Sequence, residues 1–244
     1  MCWSMGASVA MVGLGAGATG LLIRRGEPPA IWLTLGFFTV MEALQVAGYG
    51  VLDQCGTPAN RSVTLLSYLH IVLQPLFINA FALELVPPEV KRKARAPAYA
   101  VACLASLVMV VQILPVEAFG PCRPGSPLCA ETLCTVSGTW HIAWNIPYNG
   151  LLLPLEDWMG YHPGFPAYMV SVFVVPLFYG AWRFVLFHAL AGPVLASLLT
   201  QNPNEMPAIW CLFSIGILLM GLSSTIRYHV SATSWWGMPV RWEN

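Results

Sequence analysis

Residues 30–50 read Ala-Ile-Trp-Leu-Thr-Leu-Gly-Phe-Phe-Thr-Val-Met-Glu-Ala-Leu-Gln-Val-Ala-Gly-Tyr-Gly, and the only charge among them is Glu42. A helix needs about 20 mostly apolar residues to cross the hydrocarbon of a bilayer, and this run is long enough. Runs of the same kind lie on both sides: Met5–Ile23 before it, then Val63–Leu83, Pro97–Val116, Gly164–Gly180, Phe184–Thr200 and Met206–Ile226. Residues 117–163 are mixed in character and read as a long loop. The pattern predicts an all-α polytopic integral membrane protein, with residues 1–244 forming one transmembrane domain of seven helices.

Composition agrees. Of 244 residues 57% are hydrophobic and 9% charged, whereas soluble domains carry about 25% charge. Net charge is zero and lysine occurs only at 91 and 93, so no basic patch exists to bind nucleic acid. Lys and Arg collect in cytoplasmic loops. With the N-terminus outside, nine of the eleven cations fall inside, Arg61 and Arg123 being the exceptions. An eighth span at Trp140–Leu155 worsens the count to six against five. Fusing the fifth and sixth spans gives seven against four. Seven spans, an outer N-terminus and a cytoplasmic C-terminus follow, with 117–163 an extracytoplasmic cap and 227–244 a cytoplasmic tail. The first run has its positive charges, Arg24 and Arg25, after the apolar stretch, which is the reverse of a cleaved signal.

Five of the seven cysteines, at 2, 55, 122, 129 and 134, then face the oxidising side. The four loop cysteines are expected to pair, in a connectivity that sequence leaves open, with Cys2 free. Cys103 and Cys211 sit within helices as small buried hydrophobes.

Two motifs mislead. Gly15-Ala-Gly17-Ala-Thr-Gly20 has the dinucleotide-binding spacing, but no strand precedes it and helix bonds consume its amides. Small residues at helical spacing read instead as close helix packing, and no NAD site is expected. Covalent retinal needs an intramembrane lysine, and both lysines lie in a cytoplasmic loop.

Ionisable residues inside a bilayer cost about 2.5–3.5 kcal/mol on insertion scales and so mark candidate sites. Glu42 is eight residues in from Gly50, and His70 eight in from Ser62. At 1.5 Å per residue both stand about 12 Å deep. Gln45 and Gln74 share their respective helix faces. One reading is interhelical glue. The other is a buried, outward-opening metal or cofactor site between helices two and three, possibly redox, with Cu, Fe or Zn as the metal class. In that reading Glu42 and His70 are metal ligands, Gln45 and Gln74 support the bound group, and Cys2 or His141 completes the coordination. Cys2 would offer an amine–thiol chelate once Met1 is removed. His141 lies in the aromatic segment 140–149 of the cap. His188 has no evident partner. The alternatives are a small-solute or proton-coupled transporter, with Pro75 breaking the third helix, and a non-catalytic accessory subunit. Expected partners are the lipid bilayer and a second copy or larger membrane complex.

The opening Met1-Cys2-Trp3-Ser4, with Ala7-Ser8, and the late Ala208-Ile209-Trp210-Cys211 with Phe213-Ser214 resemble a group of uncharacterised bacterial membrane proteins. These open Met-Cys-(Phe/Trp)-Ser-x-x-Ala-Ser and carry an acid in the second span, as Glu42 does here. The resemblance implies a seven-span fold in the bacterial cytoplasmic membrane and no particular chemistry, but it draws attention to Cys2. The stretch from His70 to Pro75 belongs to only part of that group.

Overall fold

A computed structural model describes residues 4–211 and 213–234. Helix α1 spans Met5–Arg24, started by Ser4, whose hydroxyl accepts from the Ala7 amide. Helix α2 is Pro29–Gly50 and α3 is Pro58–Ala82, extended by a tight turn at Leu83–Leu85. Thr57 caps α3 and Pro58 occupies its first turn, where a missing N–H costs nothing. Helix α4 is Pro88–Gln112. In the following loop β1 (Cys134–Ser137) pairs antiparallel with β2 (Ile142–Asn145), and a short α5 covers Leu153–Met159. The hairpin departs from the all-α expectation. Four-residue strands joined by a tight turn leave too little alternation to stand out in an aromatic loop.

Helix α6, Pro166–Phe178, and α7, Trp182–Leu199, each contain a wider π-helical stretch, at Val170–Val174 and Leu190–Val194. The last elements are α8 (Met206–Trp210), α9 (Phe213–Leu222) and α10 (Ser224–Val230). The fold is largely helical and membrane-like. Five helices are long and apolar enough to cross a bilayer. A sixth is added if Met206–Leu222 and Ser224–Val230, bent 110° apart, count as one. Pro166–Phe178 is apolar but shorter, so the expected seven spans reduce to five or six on length and composition among the described residues. Large apolar side chains such as Leu14, Leu66, Leu104, Phe178 and Leu198 lie exposed on the helices, as lipid contact requires.

Close packing joins α1 to α2. A Cβ at Gly15 would stand 2.2 Å from the Thr39 hydroxyl, and one at Gly36 would touch Thr19. Of the glycine run, Gly15 is the packing position, whereas a Cβ at Gly17 or Gly20 would meet nothing within 4 Å.

The connections gather at two ends. At one end Asp53 N donates to Thr135 O, the Asn60 amide donates to both Val51 O and Thr135 O, and Trp144 N donates to Asn204 O. Two disulfides, Cys55–Cys134 and Cys122–Cys129, brace this end, so the four loop cysteines pair as expected. Buried in this way, Asn60 is unavailable as a glycosylation acceptor. At the other end Arg25 reaches Leu222 O, Arg227 pairs with Glu27 at 2.9 Å, Arg183 donates to Ser231 O, and Ala232 N donates to Leu85 O.

Candidate functional site

The four intramembrane polar residues do not converge. His70 Nε2 donates to Phe37 O at 2.7 Å and its ring stacks on Phe37 at 3.7 Å between centroids. Phe37 is five residues before Glu42, about 7.5 Å along the helix. The sequence reading started the third span near Ser62, whereas the Thr57 cap starts it at Pro58. That extra turn drops His70 below Glu42. Glu42 borders a small crevice with Met11, Thr39 and Leu218. Gln45 accepts from the Ser8 hydroxyl at 3.4 Å. Gln74 turns toward α6, where its Oε1 accepts from Tyr168 OH at 2.7 Å. Each pair shares a face of its own helix, but the two faces meet different neighbours.

His141 is 1% exposed. Its Nδ1 accepts from the Ile142 amide at 2.7 Å and lies 3.1 Å from Tyr49 OH. Burial pushes its pKa down to about 4, against a smaller upward pull from Glu205. It is a neutral ring built into the hairpin and not an exposed arm over a mouth. Cys2 lies outside the described residues, as do Trp235, Trp236, Arg241 and Trp242.

Among the described residues no group of three or more His, Cys, Asp or Glu could hold a metal ion. This corrects the metal and cofactor reading. Glu42, His70 and His141 are separate, each tied into its own packing, and Gln45 and Gln74 support no common group. Copper, iron and zinc are withdrawn. Pro75 does not break α3, which runs on through Ala82, and Asn79 caps the Pro75 carbonyl at 2.9 Å.

A larger cavity lies elsewhere among the described residues. Its enclosed volume is about 120 Å³, with further open space at the mouth, room for far more than a single water. Pro127, Leu128, Tyr161, Pro163, Met206 and Pro207 frame it from the disulfide-braced end. Phe38, Ile71, Gln74, Ile78, Tyr168, His188, Pro193, Trp210 and Cys211 line it among the helices. Among the described residues no Asp, Glu, Lys or Arg lines it. Local backbone features frame it too. The 13 residues of α6 rise only about 20 Å, and the segment ahead of it packs onto neighbouring elements. Phe165 packs on Tyr148 at 4.6 Å and the Gly164 carbonyl accepts from Gln112. Irregular backbone at such depth persists where it lines a cavity or is buried in protein. Leu128 holds φ of 67° in the cavity wall, a conformation that costs a leucine about 1–2 kcal/mol. Beside the mouth, burial holds the Glu156 carboxyl above its ordinary range, and His162, 3.5 Å away, partly opposes this.

His188 has a partner after all. Trp210 Nε1 donates to its Nε2 at 3.1 Å, so the neutral ring carries its proton on Nδ1. Gly192, one turn on from His188, makes room for this: a Cβ there would meet Trp210 Nε1 at 2.3 Å. The small residue one turn from the histidine is a signal in the sequence, but it does not name Trp210. Sequence reasoning also missed Glu205. Fully buried, its carboxylate accepts from the amides of Thr139, Trp140 and His141 and from the Thr200 hydroxyl. It closes the hairpin turn onto the start of α8.

Searches of curated proteins and of solved structures give no match. A family model described as a family of unknown function, DUF5765, matches residues 6–231. The match covers nearly all the described helices, hairpin and cavity, and the chain belongs to that family.

Proposed function

We propose that this protein is an integral membrane binding protein that holds a small, uncharged, largely apolar molecule between α3, α6, α7 and α8. The observation that carries this reading is the cavity itself: about 120 Å³, walled by aromatic and aliphatic side chains, with no Asp, Glu, Lys or Arg among the described lining residues and with Gln74 and His188 at depth. A ligand site is typically concave and apolar with a few placed polar groups.

The orientation belongs to the same reading. Seven crossings, with the N-terminus outside and the C-terminus cytoplasmic, bring the 2–3, 4–5 and 6–7 connections together, and these are the segments joined by the Asn60, Asn204 and disulfide contacts. The bacterial cytoplasmic membrane is its expected home. Residues 1–244 act as one transmembrane domain, and association with a second copy or a larger membrane complex is part of the proposal.

The test is native mass spectrometry of the full chain purified in mild detergent, with Met169→Trp placing an indole in the cavity wall. A retained small molecule in the wild type, reduced at least fivefold in the variant at similar melting temperature, is expected. Wild-type protein that neither retains nor takes up any apolar molecule overturns the reading. The same spectra report the subunit count.

A further inference from the structure

We infer that the cavity's ligand is a neutral lipid-soluble molecule with a planar, carbonyl-bearing head on an apolar tail, of the membrane-quinone class. The inference rests on the binding role proposed above and specifies what is bound.

Charge comes first. A headgroup carrying phosphate or ammonium, taken to the depth of Gln74, would lose its hydration and meet no counter-charge, a cost of several kcal/mol. Among the described residues no Asp, Glu, Lys or Arg lines the cavity, so phospholipids and fatty-acid anions are poor fits. Shape comes next. Tyr168 and Trp210 line the cavity with their rings edge to face at 5.8 Å and 89°. Such a corner offers one flat face and one edge, which suits a planar ring through offset or edge contacts. An unbranched alkyl chain has no use for that geometry.

Hydrogen bonding then fixes the head. Tyr168 OH donates to Gln74 Oε1 at 2.7 Å and so anchors the amide. This leaves the two amide N–H groups of Gln74 as donors. Among the described residues no side chain or carbonyl accepts from them, and 7% of Gln74 is accessible, on the cavity side. A donor at the cavity wall calls for an acceptor on the ligand. The hydroxyl of Tyr168 is already spent as a donor, so the wall here presents N–H and selects a carbonyl oxygen over a hydroxyl hydrogen. Tail and entry follow from the remaining lining, Pro127, Leu128, Met206 and Pro207 toward the mouth.

The experiment uses the full chain in nanodiscs and two probes that differ only in the head, decylbenzoquinone and decylbenzene. Thermal melts give affinity from the ligand-dependent stabilisation. Decylbenzoquinone is expected to bind at least tenfold tighter than decylbenzene. Gln74→Leu should remove most of that preference, and Tyr168→Phe, which frees the amide without deleting it, should remove part. Equal binding of the two probes by wild-type protein overturns the quinone assignment and leaves the cavity reading standing. Failure of both probes to bind counts against both readings. The wild-type comparison alone decides the matter if Gln74→Leu fails to fold.

Discussion

His141 carries a pH dependence that follows from its burial. Its pKa is about 4 in the folded cap against an ordinary 6.5. Between those values the unfolded segment binds a proton that the folded one refuses, so stability is fully present above pH 6.5 and falls as pH drops toward 4. The loss is on the order of 3 kcal/mol and levels off below the lower pKa. Hydrogen exchange of the amides in residues 134–145, corrected for intrinsic rates, should speed up from pH 7 to pH 4.5. His141→Asn, which keeps an acceptor but does not titrate, should flatten that dependence; an unchanged slope would mean that another group is responsible. The position was legible as a histidine in an aromatic cap. Its burial was not, because the Glu205 carboxylate and Tyr49 that enclose it come from distant parts of the chain. His70 marks the same limit from another side. Helical spacing places it one turn from Gln74, yet the two side chains meet different helices, and its depth is set by the Thr57–Pro58 helix start rather than by the first apolar residue.

At the scale of elements, apolar runs located the first two helices to within a residue, since a continuous hydrophobic stretch is a strong local signal, but α3 begins five residues and α4 nine residues ahead of its apolar run, because their polar first turns carry no hydropathy signal. The short strands, the π-helical stretches and the abbreviated α6 are settled by tertiary contacts. Asn79, for example, donates to the Ser171 carbonyl inside the wider turn of α6 at 3.0 Å, which compensates for the irregular ladder there. The hairpin is likewise held from outside itself. Glu205, just ahead of α8, satisfies three amides of its turn. Glu205→Ala would leave the buried His141 amide and the half-buried Trp140 amide without this acceptor, at about 1–3 kcal/mol for a fully buried group. Limited proteolysis within residues 130–145 is therefore expected to accelerate at least tenfold in Glu205→Ala with both disulfides intact, and by less in Glu205→Gln, which retains one oxygen. Wild-type resistance in the alanine variant would show that the turn does not depend on this carboxylate.

For the whole molecule the decisive element is α6. If it crosses the bilayer, the connections alternate between a disulfide-braced end and an arginine-bearing end, and eight of the eleven cations, from Arg24 to Arg227, lie at the latter. If it turns back, α7 and everything after it inverts, and Arg183 and Arg227 move to the outside against the charge rule. Thirteen residues of helix rise about 20 Å where the hydrocarbon is about 30 Å thick. The crossing therefore needs the segment 161–165, which is wedged between Tyr68, Tyr148 and Gln112. Two exposed positions bracket the question: Tyr161 before α6 and Trp182 just after it, 61% and 42% exposed. In a background with Cys2, Cys103 and Cys211 changed to serine, Tyr161→Cys should react with an impermeant maleimide added to intact cells. Trp182→Cys should react only after the membrane is opened. Labelling of both from outside would make α6 a re-entrant segment and reverse the tail, whereas the expected split puts the cavity mouth on the outer side and the arginine end in the cytoplasm.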